Sequence, residues 1–180
     1  TVWRQADRYG VPRIVFINKM DRTGADFSRT LAMVRDRLGA NAVPVQLPVG
    51  VEDGFEGVID LIAMRAIIYT DDLGTRSDDV EIPQPLRAQA AQYRDRLVET
   101  AAELDDRLTE KYLEGKPLAE AEIAGALAEG IRAQKVFPLL CGSGVKNIGV
   151  DLLMDFMVSY LPSPMDRKPM KAVNAKTKQE

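Results

Sequence analysis

Residues 13–21 read RIVFINKMD, in which an apolar run leads directly into a polar loop. The run at 14–17 has no polar alternation, which is typical of a strand whose two faces are both buried in a parallel sheet. Asp26 can cap the helix that follows, and Gly39 can end it. A strand, a polar loop and a helix in this order predict an α/β fold with a ligand site at the loop.

A second unit of the same kind lies towards the other end of the chain. Residues 136–141 read VFPLLC, residues 142–147 read GSGVKN, and a helix is predicted from about Val150 to Tyr160. Pro138 has no N–H to donate, so it favours a strand near the edge of the sheet. We expect both strands to lie in one sheet, with both polar loops at the same edge.

The residues between these two units have a different pattern. Three strand-like pieces at 43–47, 55–61 and 65–69 predict a small antiparallel meander. The polar segment 70–84 comes next, without a predicted strand, and one long helix is then predicted over 85–113. A weaker, Ala-rich helix precedes the second unit.

We therefore predict an α/β fold in which two units share a parallel sheet and an α+β subdomain is inserted between them. The insert separates two strands that should be neighbours in space. The predicted parts are a sheet-forming part at 1–38, the inserted subdomain at 39–134, a second sheet-forming part at 135–162, and a linker or tail at 163–180.

The composition excludes several classes of function. The 180 residues carry a net charge of -3, so the chain lacks the overall positive charge of proteins that bind nucleic acids on their own. Without histidine there is no Ser-His or Cys-His nucleophile pair, and the single cysteine cannot form an internal disulfide. One cysteine fits a reducing compartment, so we expect a cytoplasmic protein. The apolar runs fall far short of the roughly 18 residues of a membrane helix, so we expect no membrane contact.

The first polar loop carries the sharpest chemical signal. The Asp21 carboxylate can accept hydrogen bonds from N1 and N2 of a guanine base, whereas adenine offers no such pair of donors. A buried carboxylate without partners is costly, so this arrangement discriminates against adenine. The stem of Lys19 can cover the base, and Asn18 can tie the loop to its neighbours. The alternative is a chance tetrapeptide in a surface turn.

The second polar loop can complete the same site. Small residues at 142–144 let backbone N–H groups approach the guanine O6, and the Ser143 hydroxyl can brace the first loop. We assign Ser143, Gly144 and Val145 to guanine binding together with the first loop. Taken alone, a Gly-Ser-Gly sequence after a strand is more often a simple turn. Residues 146–147 can contact the base or sugar, although a solvated loop is the simpler role.

At this point the chain resembles the translational GTPases, and it closely resembles the elongation factor G family. The shared motifs span nearly the whole chain and are together more specific than a lone nucleotide motif. They are TVWRQA at 1–6, NKMDR at 18–22, GADF at 24–27, QLP at 46–48, GVIDL at 57–61, KYLEG at 111–115, LCGS at 140–143 and YLPSP at 160–164.

The resemblance implies a P-loop-GTPase-like G domain, of which this chain holds the last two strands of the parallel sheet. The insert is then the subdomain characteristic of elongation factor G. GTP or GDP is the implied ligand, with Mg2+ only in an intact protein that includes the phosphate-binding half. In that intact protein, a GTP hydrolase, hydrolysis on the ribosome is coupled to movement of tRNA and mRNA during elongation. The chain is then a fragment of a translocation GTPase.

The chain departs from the family pattern at two motifs. The last guanine loop of the family usually continues with Ala after Ser, whereas Gly144 stands here and makes the loop more flexible. The phosphate-binding loop G-x-x-x-x-G-K-[ST] is missing, since the Gly115-Lys116 pair has Glu110 and Pro117 at the decisive positions. We expect this chain alone to be inactive, with no catalytic or metal-binding residue.

The sequence DDLG at 71–74 matches the D-x-x-G of a magnesium and γ-phosphate switch. In the GTPases that the chain resembles, this switch precedes the first guanine loop, whereas here it follows that loop. We therefore interpret DDLG as a surface turn.

The long predicted helix presents four acidic side chains, Glu99, Glu103, Asp106 and Glu110, opposite its apolar stripe. A solvated face is the simplest interpretation. The resemblance implies another, because in elongation factor G this subdomain meets the ribosomal stalk protein. Contacts to tRNA and mRNA are implied only for domains outside this chain. Two alternative functions stay open: a non-catalytic module that binds the stalk, and a ribosome recycling paralogue.

Overall fold

The computed structural model describes residues 2–166, so most of the predicted tail, residues 167–180, lies outside the described residues. The helices are α1 (Val2–Arg8), α2 (Phe27–Leu38), α3 (Arg87–Ala102), α4 (Asp106–Leu113), α5 (Glu120–Arg132) and α6 (Val150–Tyr160). The strands are β1 (Val15–Ile17), β2 (Ala42–Pro44), β3 (Gln46–Val49), β4 (Gly57–Asp60), β5 (Arg65–Tyr69), β6 (Ser77–Val80) and β7 (Phe137–Cys141). None of the helices within 2–166 has the length and apolar character needed to cross a membrane.

Two sheets organise the described residues. A parallel sheet has the strand order β1-β7-β2, and an antiparallel meander has the order β3-β4-β5-β6. The meander and the helices α3 to α5 lie in the chain between the two sheet-forming units. The predicted α/β fold with an inserted α+β subdomain is therefore confirmed.

The parallel sheet contains one strand more than the two we expected. Strand β2 comes from the segment 39–134 that we assigned to the insert, and it pairs with β7. The piece predicted at 43–47 is thus divided at Val45. The Val45 N–H donates to the Leu139 carbonyl, and the Val45 carbonyl accepts from Leu61 N–H, each at 3.0 Å. Val45 therefore bonds to both sheets where the chain passes from one to the other.

Strand β7 is central, so the expectation that Pro138 lies near a sheet edge is wrong. The Phe137 N–H donates to the Asn41 carbonyl on the β2 side. Because donors alternate in direction along a strand, the N–H that Pro138 lacks would face the β1 side. Strand β1 begins its pairing one residue later, with Val15 opposite Leu139. The proline therefore removes no bond from the sheet.

Strand β6 lies in the polar segment 70–84, for which we predicted no strand. It pairs with β5 in antiparallel register from Tyr69 opposite Ser77 to Ala66 opposite Val80. All four of its residues are exposed. An edge strand without a buried face has no alternation of apolar and polar residues, so its sequence carries no strand signal.

The single long helix predicted over 85–113 is wrong, because α3 and α4 are separate helices. Asp105, between them, has an extended backbone, and its side chain caps α4 by accepting from Arg107 N–H at 2.8 Å. The change of direction allows Lys111 on α4 to pair with Glu122 on α5 at 2.7 Å. The apolar period continues through the break, which is why the sequence resembles one helix.

One hydrophobic core supports both sheets. Its fully buried members include Ile59 in β4, Leu97 in α3 and Leu139 in β7. Because burial of such side chains supplies most of the stabilisation of a fold, the insert is held firmly against the strands that carry the polar loops.

Candidate functional site

The two polar loops lie side by side at the carboxyl ends of β1 and β7. Ile17 is opposite Cys141 in parallel register, so both chain segments leave the sheet at the same level. Backbone bonds continue beyond the strands: Gly142 N–H donates to the Ile17 carbonyl at 3.0 Å, and Met20 N–H donates to the Gly142 carbonyl at 3.1 Å. The structure thus brings together the two loops that the sequence analysis assigned to one site.

Asn18 connects the loops through its side chain. Its Oδ1 accepts from Lys19 N–H at 2.7 Å and from Gly144 N–H at 2.9 Å. Lys19 has a left-handed backbone with φ of 66°. The next residue, Met20, is buried. This arrangement anchors the loop through Met20 and leaves the Lys19 side chain exposed, where its stem can cover a flat ligand.

Asp21 carries an acceptor that the described residues do not satisfy. The residue is half-buried, and its Oδ1 has no hydrogen-bond partner within 2–166. Leaving a buried polar atom without a partner costs about 1–3 kcal/mol. The Ser143 hydroxyl lowers the pKa of Asp21, burial opposes this effect, and the charges of Lys146 and Arg22 add to the lowering. The loop therefore holds a charged acceptor that fits a donor from outside the chain.

The titration of Asp21 tests this environment. Because its pKa lies below the ordinary value of 3.8, the charged carboxylate contributes its full stabilisation above that pH. The contribution is lost as the pH falls through the lowered pKa. We expect the carboxyl resonance of Asp21 to titrate by NMR with a midpoint below 3.8, and below its midpoint in the urea-unfolded chain. A midpoint above 3.8 would show that Ser143 does not support the charge.

The base of the second loop is closed by Ser143. This fully buried residue forms a two-way bridge with Ile148, with N–H to carbonyl distances of 2.9 and 3.0 Å. The Ser143 Oγ also accepts from Lys146 N–H at 3.2 Å. Ser143 therefore shapes its own loop and lowers the pKa of the carboxylate in the neighbouring one.

The tip of the second loop is formed by Gly144 and Val145, which are both exposed. The Gly144 N–H is shared with the Asn18 side chain. The Val145 N–H has no partner among residues 2–166. The tip therefore offers a backbone donor in the loop beside the unsatisfied acceptor of Asp21.

Contacts from the insert to these loops are what the sequence analysis missed. We expected residues 146–147 to be solvated or to face a ligand, but their side chains bond to the insert. No motif marks these partners, because they lie far away along the chain. The bonds are Gly24 N–H to Glu52 Oε1 at 2.7 Å, Lys146 Nζ to the Asp53 carbonyl at 3.0 Å, and Asn147 Nδ2 to the Gly74 carbonyl at 2.9 Å.

The sequence DDLG at 71–74 lies in the turn between β5 and β6. Asp71 Oδ1 accepts from Thr75 N–H at 2.8 Å and from Arg76 N–H at 2.9 Å, and Oδ2 accepts from the Thr75 hydroxyl at 2.6 Å. The Thr75 hydroxyl is also the main reason that the pKa of Asp71 is lowered. Asp71 thus closes a turn, in agreement with our interpretation of DDLG.

Comparison with known proteins agrees with this geometry. Residues 1–163 match the family model described as the elongation factor Tu GTP-binding domain. The chain belongs to this family. The matched residues thus form a domain of the translational GTPase type.

A solved structure is similar to this translational GTPase domain over most of its length. It is the crystal structure of a protein from Thermus thermophilus, with a TM-score of 0.80 and 31% sequence identity. The match covers 91% of this chain and 24% of the Thermus chain. The chain thus spans about a quarter of the length of that protein.

The family binds guanine nucleotides, typically with Mg2+. The unsatisfied Oδ1 of Asp21 can accept a hydrogen bond from a ligand. For magnesium, residues 2–166 contain no group of three His, Cys, Asp or Glu side chains placed to hold a metal ion.

Proposed function

We propose that this chain recognises the guanine base of GTP or GDP in a translocation GTPase of the elongation factor G type. Asp21 accepts hydrogen bonds from N1 and N2 of the base, and the stem of Lys19 covers one face of it. Asn18 keeps the two loops in register. The observation that carries the proposal is the charged, half-buried Asp21 with one oxygen unsatisfied.

The second loop completes this proposed site. Ser143 braces Asp21, and the loop tip at Gly144 and Val145 serves the guanine O6, for which the Val145 N–H is the donor without a partner among residues 2–166. The position of this loop supports its assignment to the site. It follows β7 at the same edge of the sheet at which Asn18 follows β1. The two loops then contact neighbouring groups of one flat base, N1 and N2 from the first loop and O6 from the second.

The narrower assignment to elongation factor G rests on the insert. A four-stranded meander and the helices α3 to α5 stand between the two guanine loops, where elongation factor G has its characteristic subdomain. The motifs at 57–61 and 111–115 lie within this insert. A ribosome recycling paralogue shares these features and is the alternative within the same superfamily.

In the intact protein, GTP hydrolysis on the ribosome drives movement of tRNA and mRNA. This chain alone is inactive, because its 180 residues contain no G-x-x-x-x-G-K-[ST] loop to hold the phosphates and magnesium. The mass of the native protein is measured by immunoblotting a lysate of the source organism with an antibody raised against this chain. A band several times larger supports a GTPase fragment, whereas a band of 19.9 kDa favours a non-catalytic interaction module.

The proposed partner of the insert is the ribosomal stalk protein, and the proposed compartment is the cytoplasm. Four acidic side chains on the insert are all exposed, although the break before α4 leaves Glu99 and Glu103 at the end of α3 and the other two in α4. Charged side chains at the edge of a binding interface affect the association rate and its salt dependence more than they affect the residence time of the complex. Contacts to tRNA and mRNA belong to domains outside this chain.

Guanine recognition is tested by titrating the chain with GMP and with AMP. We expect GMP to shift the amide NMR signals of Lys19, Asp21 and Val145, with a Kd on the order of millimolar because only the base is held. The same concentrations of AMP should leave these signals in place. Equal shifts with both nucleotides would contradict the proposal, since the carboxylate would then not be reading the base.

A further inference from the structure

Two turns of the insert contact the proposed guanine loops from outside. The first turn, residues 50–54, bonds to both loops: Glu52 accepts from Gly24 N–H, and the Asp53 carbonyl accepts from Lys146 Nζ. The second turn, residues 70–76, bonds to the Asn147 side chain. These contacts join chain segments that are 28, 93 and 73 residues apart. They are therefore tertiary contacts that depend on the position of the insert.

Three residues that make these contacts have an unusual backbone conformation. Glu52 has a φ of 52°, Asn147 of 55° and Gly74 of 60°, all in the left-handed region. Such conformations in residues other than glycine are uncommon and cluster at functional sites. At Gly74 a side chain would also collide with the guanine loop, because an added Cβ would lie within 3.0 Å of the Lys146 carbonyl. The second turn thus packs directly against the loop backbone.

A further contact joins the meander to helix α6. The Tyr69 hydroxyl, at the end of β5, donates to the carboxylate of Asp151 in the first turn of α6. Burial, and then this carboxylate, raise the pKa of Tyr69, so the hydroxyl stays protonated and keeps donating at physiological pH. The meander is thus attached at the end of the second guanine loop, at residue 147, and again beyond it, at residue 151.

We propose that the two turns of the insert hold the guanine loops in their binding conformation, so that Glu52, Lys146 and Asn147 are positioning residues for the base. This inference rests on the proposed function, because it concerns the same site. The Lys146 and Asn147 side chains point to the insert and do not serve as ligands of the nucleotide. Loss of the contacts weakens guanine binding without changing which base is preferred.

The coupling between the turns of the insert and guanine binding acts in both directions. If the turns stabilise the loop conformation that binds guanine, a bound guanine must stabilise the turns by the same factor. A partner that moves the meander therefore alters nucleotide affinity, and the nucleotide alters the affinity of the insert for that partner. This mutual effect of nucleotide and partner follows from the hydrogen bonds between the insert and the guanine loops, and it requires no other change in the fold.

The test compares two glycine variants of the whole chain. Gly74→Ala forces the second turn away from the guanine loop. Gly115→Ala is the matched control, since Gly115 has a similar left-handed φ of 73° but no atom within 4 Å of an added Cβ. Asn147→Gly is a second test variant, because glycine keeps the left-handed backbone and removes only the side-chain bond.

Two measurements are made on each variant. The first is hydrogen exchange of the Gly144 and Met20 amides without nucleotide, which reports the order of the loops. We expect Gly74→Ala and Asn147→Gly to raise both exchange rates about 10-fold, and Gly115→Ala to leave them unchanged. The second is the Kd for GMP and IMP, which we expect to rise about 5-fold or more for both nucleotides at a constant ratio.

The outcomes separate this inference from the proposed function. Unchanged exchange at both amides in both test variants overturns the inference, whatever the nucleotide does. A changed GMP-to-IMP ratio also overturns it, because Lys146 or Asn147 would then be reading the base. If the unaltered chain fails to bind GMP, the proposed function fails, while raised exchange in the variants still supports the bracing of the loops by the insert.

Discussion

Replacing Asp21 by Asn is expected to switch the base preference of the site from guanine to xanthine. Asn keeps one oxygen to accept from N1 but presents an amide donor where guanine has its N2 donor. Xanthine carries a carbonyl at that position and can accept. A hydrogen bond to a charged group contributes about 1.5–3 kcal/mol, so GMP binding should weaken about 10- to 150-fold while XMP binding improves.

The measurement is the ratio of the Kd values for GMP and XMP in the chain, and of GTP and XTP in the intact protein. Asp36→Asn is the matched control, because Asp36 is an exposed carboxylate on α2 and the substitution removes the same charge. An unchanged ratio in Asp21→Asn would remove Asp21 from the site. A changed ratio in the control would show that net charge, and not the base, is being measured.

Replacing Gly142 by Ala is expected to damage both the stability of the fold and the proposed guanine site. An added Cβ would lie 2.6 Å from Phe16 Cζ and closer still to the Ile148 carbonyl, and real Cβ atoms essentially never approach within 3.0 Å. Overpacking of this kind costs about 1–3 kcal/mol, which for 180 residues corresponds to a fall in Tm of about 2–12 °C. The Gly142 backbone also pairs with Ile17 and Met20, so the loops should separate.

Gly144→Ala, two residues along, is the control for this prediction. An added Cβ there meets only the Asn18 side chain at 3.6 Å, an ordinary contact, and the backbone φ is not left-handed. Because alanine reduces the freedom of the unfolded chain, we expect stabilisation of about 0.4–1 kcal/mol. Thermal unfolding of both variants, with GMP titrations, checks the pair. Equal losses of thermal stability in the two variants would contradict the close packing at Gly142.

The first polar loop and helix α2 could be predicted because their determinants are local. The Asp26 carboxylate caps α2 by accepting from Arg29 N–H at 2.8 Å, three residues away. Gly39 ends the helix with a φ of 61°, a conformation that favours glycine. The apolar run before the loop also needed no distant information, since a segment without polar alternation must be covered on both faces.

The sequence indicated the candidate site only in part. It placed Asn18 and Asp21 in one loop and Ser143 in another, and general rules for parallel sheets predicted that the loops meet. It did not show that Asn18 Oδ1 bonds to Gly144 N–H across 126 residues, or that one oxygen of Asp21 has no partner within 2–166. These facts depend on distances between atoms that are remote along the chain.

Other features were decided by tertiary structure against the local pattern. Pro138 disfavours a central strand, yet β7 is central because β1 begins its pairing one residue beyond the proline. The apolar period runs through Asp105, yet its extended backbone breaks the helix so that α4 can pack on α5 through Lys111 and Glu122. At Pro138 no bond of the sheet is lost, whereas at Asp105 the packing of a whole helix outweighs a local helical preference of about 1 kcal/mol or less.

The two strand, loop and helix units, the residue types of the candidate site and the presence of an insert could thus be predicted from the order of the residues alone. Capping, turn formation and apolar periodicity act over a few residues, so the local sequence is sufficient to specify them. Two features arise from tertiary contacts alone: β2 joins the parallel sheet, and Glu52 and Gly74 bond to the two polar loops. Those contacts form when the shared core brings remote backbone groups together, and a hydrogen bond between such groups leaves no periodic signal in the sequence.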